Sequence, residues 1–274
     1  MLFRSITSSL FLCFLLLLPS MAAWNKEIFV SPHGNDSWKC TRDHPCKSID
    51  RAFGEALNGS GANSTRILVK SGNYTMAKSF NFTRVDTFAL AGDEDGKVRI
   101  TCEPHASISF VLCENIIFER IQLQRCGGWR ESPVGANNSA PLGPKGNRGV
   151  LFRTVLDFRY CRNLRFTNVN VSNSPGVGIN FFNVGGVLNL TNCVLVDNKG
   201  ANSNKSNGLL QVLPFNNSDV IKDGYVLSGG GVILTLSKYG EYGYNVSQSK
   251  HDSFQHNNRY IFSNCTFLGN EAFG

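Results

Sequence analysis

Long apolar runs are scarce in this 274-residue chain. A membrane-spanning helix needs about 20 consecutive apolar residues, and no segment reaches that length, so no transmembrane segment is expected in this chain. Cys-x-x-Cys spacing is missing, which removes the usual argument for zinc, and no metal or other cofactor is expected. No basic run or aromatic-basic module occurs, so nucleic acid is not an expected partner. His33, His44, His105, His251 and His256 sit in polar, loop-like contexts without a Ser or Cys at triad spacing, and read as surface residues.

Acidic residues are also few, 20 against 27 Lys and Arg, for a net charge of +7. Part of the N-terminus reads as a processing signal. Met1 to Arg4 gives a short basic start, Leu10 to Leu18 a continuous apolar core, and Ser20-Met21-Ala22-Ala23 a small-residue cleavage site, the pattern of a secretory signal peptide over 1–23. Its loss takes Arg4 with it and leaves 26 basic against 20 acidic residues, +6, a mild excess that favours anionic glycans or membrane surfaces. The predicted localisation is secreted or extracellular. Sequons at Asn35, Asn58, Asn63, Asn73, Asn81, Asn137, Asn170, Asn189, Asn204, Asn216, Asn245 and Asn264 fit a secreted glycoprotein.

A repeat organises the rest. Taking Phe118, Phe166, Leu190 and Phe262 as origin, each copy has an apolar residue two before, three after and five after. The origins differ by 166−118 = 48, 190−166 = 24 and 262−190 = 72, all multiples of 24. Such a period marks a stacked solenoid. Strand-like alternation holds from −2 to 0, then slips by one, so a bend must separate two strands. Position +2 is Asn168, Asn192, Asn264 or Arg120, and Asn tolerates the left-handed conformation of a sharp corner; stacked corners predict an asparagine ladder there. A second turn falls at +8, at Cys126, Ser174, Asn198 and Asn270. The predicted fold is all-β, a right-handed parallel β-helix; a leucine-rich horseshoe is disfavoured because no copy carries its spaced leucines.

Eight cysteines remain once Cys13 leaves with the signal, an even number that favours disulfides. Cys102 and Cys126 differ by 24, Cys113 and Cys161 by 48, Cys193 and Cys265 by 72. Adjacent rungs bring such pairs within disulfide range, so bridges are expected at these three pairs and locally between Cys40 and Cys46. For Cys193 and Cys265 the alternative is a pair of buried thiols packed as small apolar groups. Pro45 to Leu57 carries Ile49, Ala52, Phe53, Ala56 and Leu57 at helical spacing, an amphipathic helix suited to capping the open N-terminal end of the solenoid. The domain is expected to run over 24–274, incomplete at its C-terminus, since the chain stops at Asn270 to Gly274 just after the turn of a copy.

Three segments carry a family likeness: Phe29-Val-Ser-Pro-His-Gly-Asn-Asp36, Pro45-Cys-Lys-Ser-Ile49 and Ile67-Leu-Val-Lys-Ser-Gly-Asn-Tyr74. Together they resemble the N-terminal start of secreted pectin-lyase-like β-helix proteins. Val98 to Gly128, with Ile100, Cys102, Phe110 and Cys126, is similar to uncharacterised animal extracellular members of that superfamily. The resemblance implies the fold; the superfamily includes lyases, hydrolases, esterases and adhesins. The polygalacturonase-like Asn-Thr-Asp, Asp-Asp, Gly-His-Gly and Arg-Ile-Lys motifs are absent, as is the lyase-like Trp-Ile-Asp-His, and Met76 stands where the esterase-like Gly-x-Tyr-x-Glu needs its acid. No catalytic residue is assigned. Asp93-Glu-Asp-Gly96 is read as a solvated turn rather than a calcium fragment.

Binding then falls to loops on a rigid scaffold. The insertions from Trp129 to Gly149 and Lys199 to Gly208 leave the template after its second strand and should share a flank. A third, Ser237 to Arg259, holds Tyr239, Tyr242 and Tyr244. Aromatic faces among polar neighbours suit sugar rings, which makes Trp129, Arg130, Tyr239, Tyr242 and Tyr244 the candidate ligand residues. The expected role is an extracellular binding, adhesion or structural scaffold with carbohydrate or cell-surface protein partners; the alternative is a polysaccharide-acting lyase or glycoside hydrolase.

Overall fold

Alternation of buried and open side chains is the local rule: Ser64–Val69 and Val98–Cys102 each bury every second residue, as a strand with one face on a core must. The computed structural model describes residues 24–58, 64–94, 96–104, 106–130, 151–199, 226–227, 232–235 and 258–270. The expected signal peptide lies outside the described residues. Three sheets emerge. Sheet A runs Lys26–Val30, Ser64–Val69, Thr87–Gly92, Glu114–Glu119, Arg162–Thr167, Gly185–Thr191 and Arg259–Ser263. Sheet B runs Gly72–Met76, Val98–Cys102, Ile121–Gln124, Asn170–Ser172, Val194–Val196 and Thr266–Leu268. Sheet C runs Phe80–Thr83, Ile108–Val111, Leu156–Arg159, Ile179–Phe182 and Val232–Thr235, with Val226–Leu227 antiparallel at its edge.

The chain visits A, B and C in turn, and every other pairing within the three sheets is parallel. The result is an all-β parallel solenoid, coiled in the right-handed sense that parallel crossovers take. The 24-residue register holds: Phe166 pairs with Leu190 and with Phe118, and Leu190 pairs with Phe262. One column therefore reads Ile28, Ile67, Leu90, Phe118, Phe166, Leu190 and Phe262, buried from Ile28 to Leu190 and exposed at Phe262.

Phenylalanine fills the interior in two columns. Phe82, Phe110, Phe158 and Phe181 stack along sheet C, with centroids 4.9, 5.3 and 5.5 Å apart. Phe118 and Phe166 stack along sheet A at 5.4 Å. The columns meet edge to face, Phe118 against Phe110 and Phe158 at 89° and 88°, the two arrangements that ring quadrupoles favour. At the N-terminal end helix α1, Ile49–Asn58, buries Ile49, Ala52 and Phe53, and Phe53 lies over Phe80, Phe82 and Phe88. The helix starts four residues later than the spacing predicts, because Cys46 bridges to Val30 as strand and Ser48 Oγ accepts from the Arg51 N–H as N-cap.

Corners follow one rule. Arg120, Asn168, Asn192 and Asn264 after sheet A, and Arg125, Asn173, Asp197 and Gly269 after sheet B, all have positive φ. So do Arg84, Leu112, Tyr160 and Asn183 after sheet C. The residue directly after the corner is at least partly buried in every case. Asn168, Asn192 and Asn264 form the expected corner, but their side chains are exposed, and Asn264 Nδ2 donates to Asn192 Oδ1 at 2.7 Å. The buried polar ladder lies instead at +8. Ser174 Oγ donates to Cys126 O, the Ser174 N–H to Asn198 Oδ1, and Asn198 Nδ2 to Val171 O and to Asn270 Oδ1. Asn198 is fully buried, so these bonds satisfy groups that burial would otherwise orphan.

Cysteine pairing is as expected at Cys40–Cys46 and Cys102–Cys126. Cys113, Cys161, Cys193 and Cys265 are free thiols here, so the 113–161 and 193–265 bridges differ from expectation. The sulfurs lie against backbone carbonyls, Cys161 with Phe110 O and Cys193 with Thr191 O, both at 3.4 Å.

Replacing Phe158, which sits at the crossing of both columns, by Ala should cost about 3–5 kcal/mol, read as a lower denaturation midpoint. Asp36 ties the entry turn to the helix. Burial raises its pKa, but the Ser48 backbone and side chain, the Lys47 N–H and the Arg51 charge outweigh this and hold it below its ordinary value. A depressed folded pKa stabilises above the unfolded value of about 3.9 and is lost as pH falls through the folded one. Wild type should therefore be more stable than Asp36→Asn at pH 7, and the gap in urea titrations should narrow as pH falls below the unfolded value of about 3.9.

Candidate functional site

Outward side chains of a parallel solenoid form straight rows, because in-register residues repeat at the rung spacing of about 4.8 Å. The three faces differ in chemistry. Sheet A mixes charges of both signs, with Glu27 beside Arg66 at 3.9 Å and Glu119 beside Arg120 at 3.5 Å. Sheet C carries a polar row of Asn81, Ser109, Asp157 and Asn180 in register. Asp157 accepts from Arg159 Nε at 2.9 Å and from Asn180 Nδ2 at 2.8 Å, and it is the one acid in any described strand of that sheet.

Sheet B differs: none of its six strands contains an Asp or Glu. Its first rungs form a shallow depression of about 440 Å³ lined by Asn73, Arg99, Thr101, Gln124, Arg125 and Asn173, within the usual size range of ligand sites. Asn73 pairs with Arg99 and Thr101 with Gln124, so these four occupy neighbouring places on one face. Arg125 and Asn173 occupy the left-handed corner at its border. Arg99 and Arg125 are both exposed, and each guanidinium offers a planar fork of donors matched to carboxylate or sulfate. Beneath the depression, Cys102–Cys126 covalently joins the rungs that carry Arg99 and Arg125, which fixes the spacing of the backbones that bear the two cations.

The sequence-predicted ligand residues fall elsewhere. Trp129 and Arg130 lie in Gly128–Arg130, which pairs antiparallel with Leu151–Arg153, so the first insertion leaves as a hairpin at the +8 corner beyond Arg125. The second insertion follows Asn198 in the same corner column, joined to Cys126 through Ser174, and the two share a flank at their roots. Tyr239, Tyr242 and Tyr244 lie outside the described residues, in a segment bounded by strands of sheets C and A. Asp93 and Glu94 are exposed, and Asp95 is outside the described residues; no group of three or more His, Cys, Asp or Glu suited to a metal occurs among the described residues. Likewise, no helix among them is long and apolar enough to cross a membrane.

Arginines were missed as a pair because 26 positions separate them. The Cys102–Cys126 interval of 24 signals that their rungs are adjacent, and the register then sets Thr101 beside Gln124, the residue before Arg125.

No protein-family model matches this chain, and no curated protein does. A solved structure described as a rhamnogalacturonan lyase is similar at 13% identity and a TM-score of 0.43, over 64% of this chain. The match spans 42% of that structure's length, and nothing of its chemistry is carried across.

Proposed function

We propose that this chain is an extracellular solenoid that binds acidic carbohydrate along sheet B and serves in adhesion or display rather than cleavage. The observation that carries this reading is the acid-free face with Arg99 and Arg125 set among the amides and hydroxyl of Asn73, Gln124, Asn173 and Thr101. An anionic sugar unit presents carboxylate or sulfate oxygens to guanidinium forks, and its ring hydroxyls find amide donors and acceptors alongside. Repeating sugars suit a repeating surface: further places on the same face are held by Gln122 and Asn170, which pair in register. Two disulfides fit an oxidising compartment. A cell-surface protein bearing such glycans is the natural partner.

The competing reading, a polysaccharide-cleaving enzyme, would centre on Asp157, whose hydrogen bonds to Arg159 and Asn180 hold it in place. Glycoside hydrolysis ordinarily uses two carboxylates flanking the bond, and the strands of sheet C supply one.

Binding of the purified chain to immobilised heparin and polygalacturonate, read across a salt series, tests the proposal. Wild type should bind both and release with salt, and Arg99→Glu with Arg125→Glu should weaken binding at least about tenfold, a loss of roughly 1.4 kcal/mol. Both side chains point outward, so the thermal midpoint should hold. Unchanged binding in the double variant overturns the site. New reducing ends or unsaturated products, lost in Asp157→Asn, would favour the enzyme.

A further inference from the structure

Cysteine is placed by a rule that the free thiols share with a formed bridge. Cys126, joined to Cys102, directly follows a left-handed corner residue, Arg125. Cys113 follows Leu112, Cys161 follows Tyr160, Cys193 follows Asn192 and Cys265 follows Asn264, each of these corner residues having positive φ. All five sulfurs then take one pose, against the carbonyl two residues back. The distances are 3.4 Å for Cys126 to Gln124 O, 3.3 Å for Cys113 to Val111 O and 3.4 Å for Cys161 to Arg159 O. For Cys193 to Thr191 O and Cys265 to Ser263 O they are 3.4 and 3.3 Å.

Register makes the thiols neighbours in pairs. The Arg162 N–H donates to Cys113 O, and the Thr266 N–H to Cys193 O, so Cys161 stands one rung above Cys113 and Cys265 one rung above Cys193. In-register Cα atoms on parallel rungs are about 4.8 Å apart, inside the range of roughly 4.4–6.8 Å that a disulfide accepts; Cys102 and Cys126 are bridged across 4.7 Å.

We propose that Cys113–Cys161 and Cys193–Cys265 are two further coil-to-coil disulfides of the oxidised protein, the thiols described above being its reduced form. Each closure is a two-electron oxidation in which both S–H bonds are lost and one S–S bond forms. The electrons and protons pass to an external disulfide, of an oxidoreductase or a small thiol, which leaves as two thiols. The first pair is polarised for this exchange. The Cys161 side chain hydrogen-bonded to Cys113 draws the Cys113 thiol below its ordinary pKa, while burial pushes Cys161 up. Burial also pushes Cys193 up to about 11, which leaves Cys265, the more open member of that pair, as its point of attack. With Cys102–Cys126, the three bridges would staple corners after sheets A, B and C in turn, each to the next rung.

Peptide mapping of the full chain decides this without a destabilising variant. The protein, secreted or refolded in a glutathione disulfide buffer, is denatured in N-ethylmaleimide without reductant and digested. The expected result is a 113–161-linked and a 193–265-linked peptide, no label on these four cysteines, and a mass lower by four hydrogens than the two-bridge form. Cys161→Val, whose side chain matches Val85 and Val184 in the same column, should newly expose Cys113 to label. Stoichiometric label on either pair in folded wild-type protein, or linkage to any other partner, overturns the assignment.

Discussion

A single backbone constraint underlies the molecule: from Leu112 onward the described corners turn at left-handed residues, and the residue that follows each is delivered toward the interior above its counterpart one rung below. Asn meets this at Asn168, Asn173, Asn183, Asn192 and Asn264, since its short polar side chain lowers the cost of positive φ. At the corner held by Arg120, a side-chain bond is made in its place. Arg120 reaches back with Nε to Gly92 O at 3.0 Å. Because corners turn in place, strands stay in register, and like residues stack: phenylalanine on phenylalanine, asparagine on asparagine, cysteine on cysteine. Each column is a repeated interaction, and its members cannot shift separately.

That rigidity is what gives the outer faces meaning. A depression on a mobile loop would have to order on binding, whereas Arg99, Thr101 and Gln124 ride on strands whose backbones are bonded on both sides. The helix cap, the phenylalanine columns and the buried +8 ladder make no contact with a ligand. Their contribution is to hold the backbones under Arg99 and Arg125 at a fixed separation, so that no backbone ordering opposes capture of an anionic chain.

Legibility in the sequence followed the connection lengths. Sheet A, its corner and sheet B recur at constant spacing, so Phe118, Phe166, Leu190 and Phe262 announced themselves as a column. Sheet C did not, because the link from B to C is long after Gln124, which precedes Leu156, and short after Ser172, which precedes Ile179. Counted from the preceding template copy, its strands at Leu156 and Ile179 therefore begin at 156−118 = 38 and 179−166 = 13 positions, with no fixed interval. Corner residues were foreseen at +2, but which asparagines turn inward depends on the corner's depth, and that placed the buried ladder at Asn198 and Asn270. The basic depression was hidden for a related reason. Outward polar residues alternate in any half-buried strand, and only register shows that Arg99 and Arg125 are neighbours. Aromatic loops attracted notice by composition, while the strand-borne cations carried no local motif.

Directness favours testing the stacking itself. Arg165 and Asn189 are paired outward residues on adjacent rungs, 24 positions apart, whereas Arg165 and Thr191 are offset by one full alternation. Arg165→Cys with Asn189→Cys should cross-link on mild oxidation, mapped as a joined peptide, and Arg165→Cys with Thr191→Cys should not. Equal yields from the two pairs, or a bridge only in the offset pair, would contradict a solenoid whose successive coils lie in register.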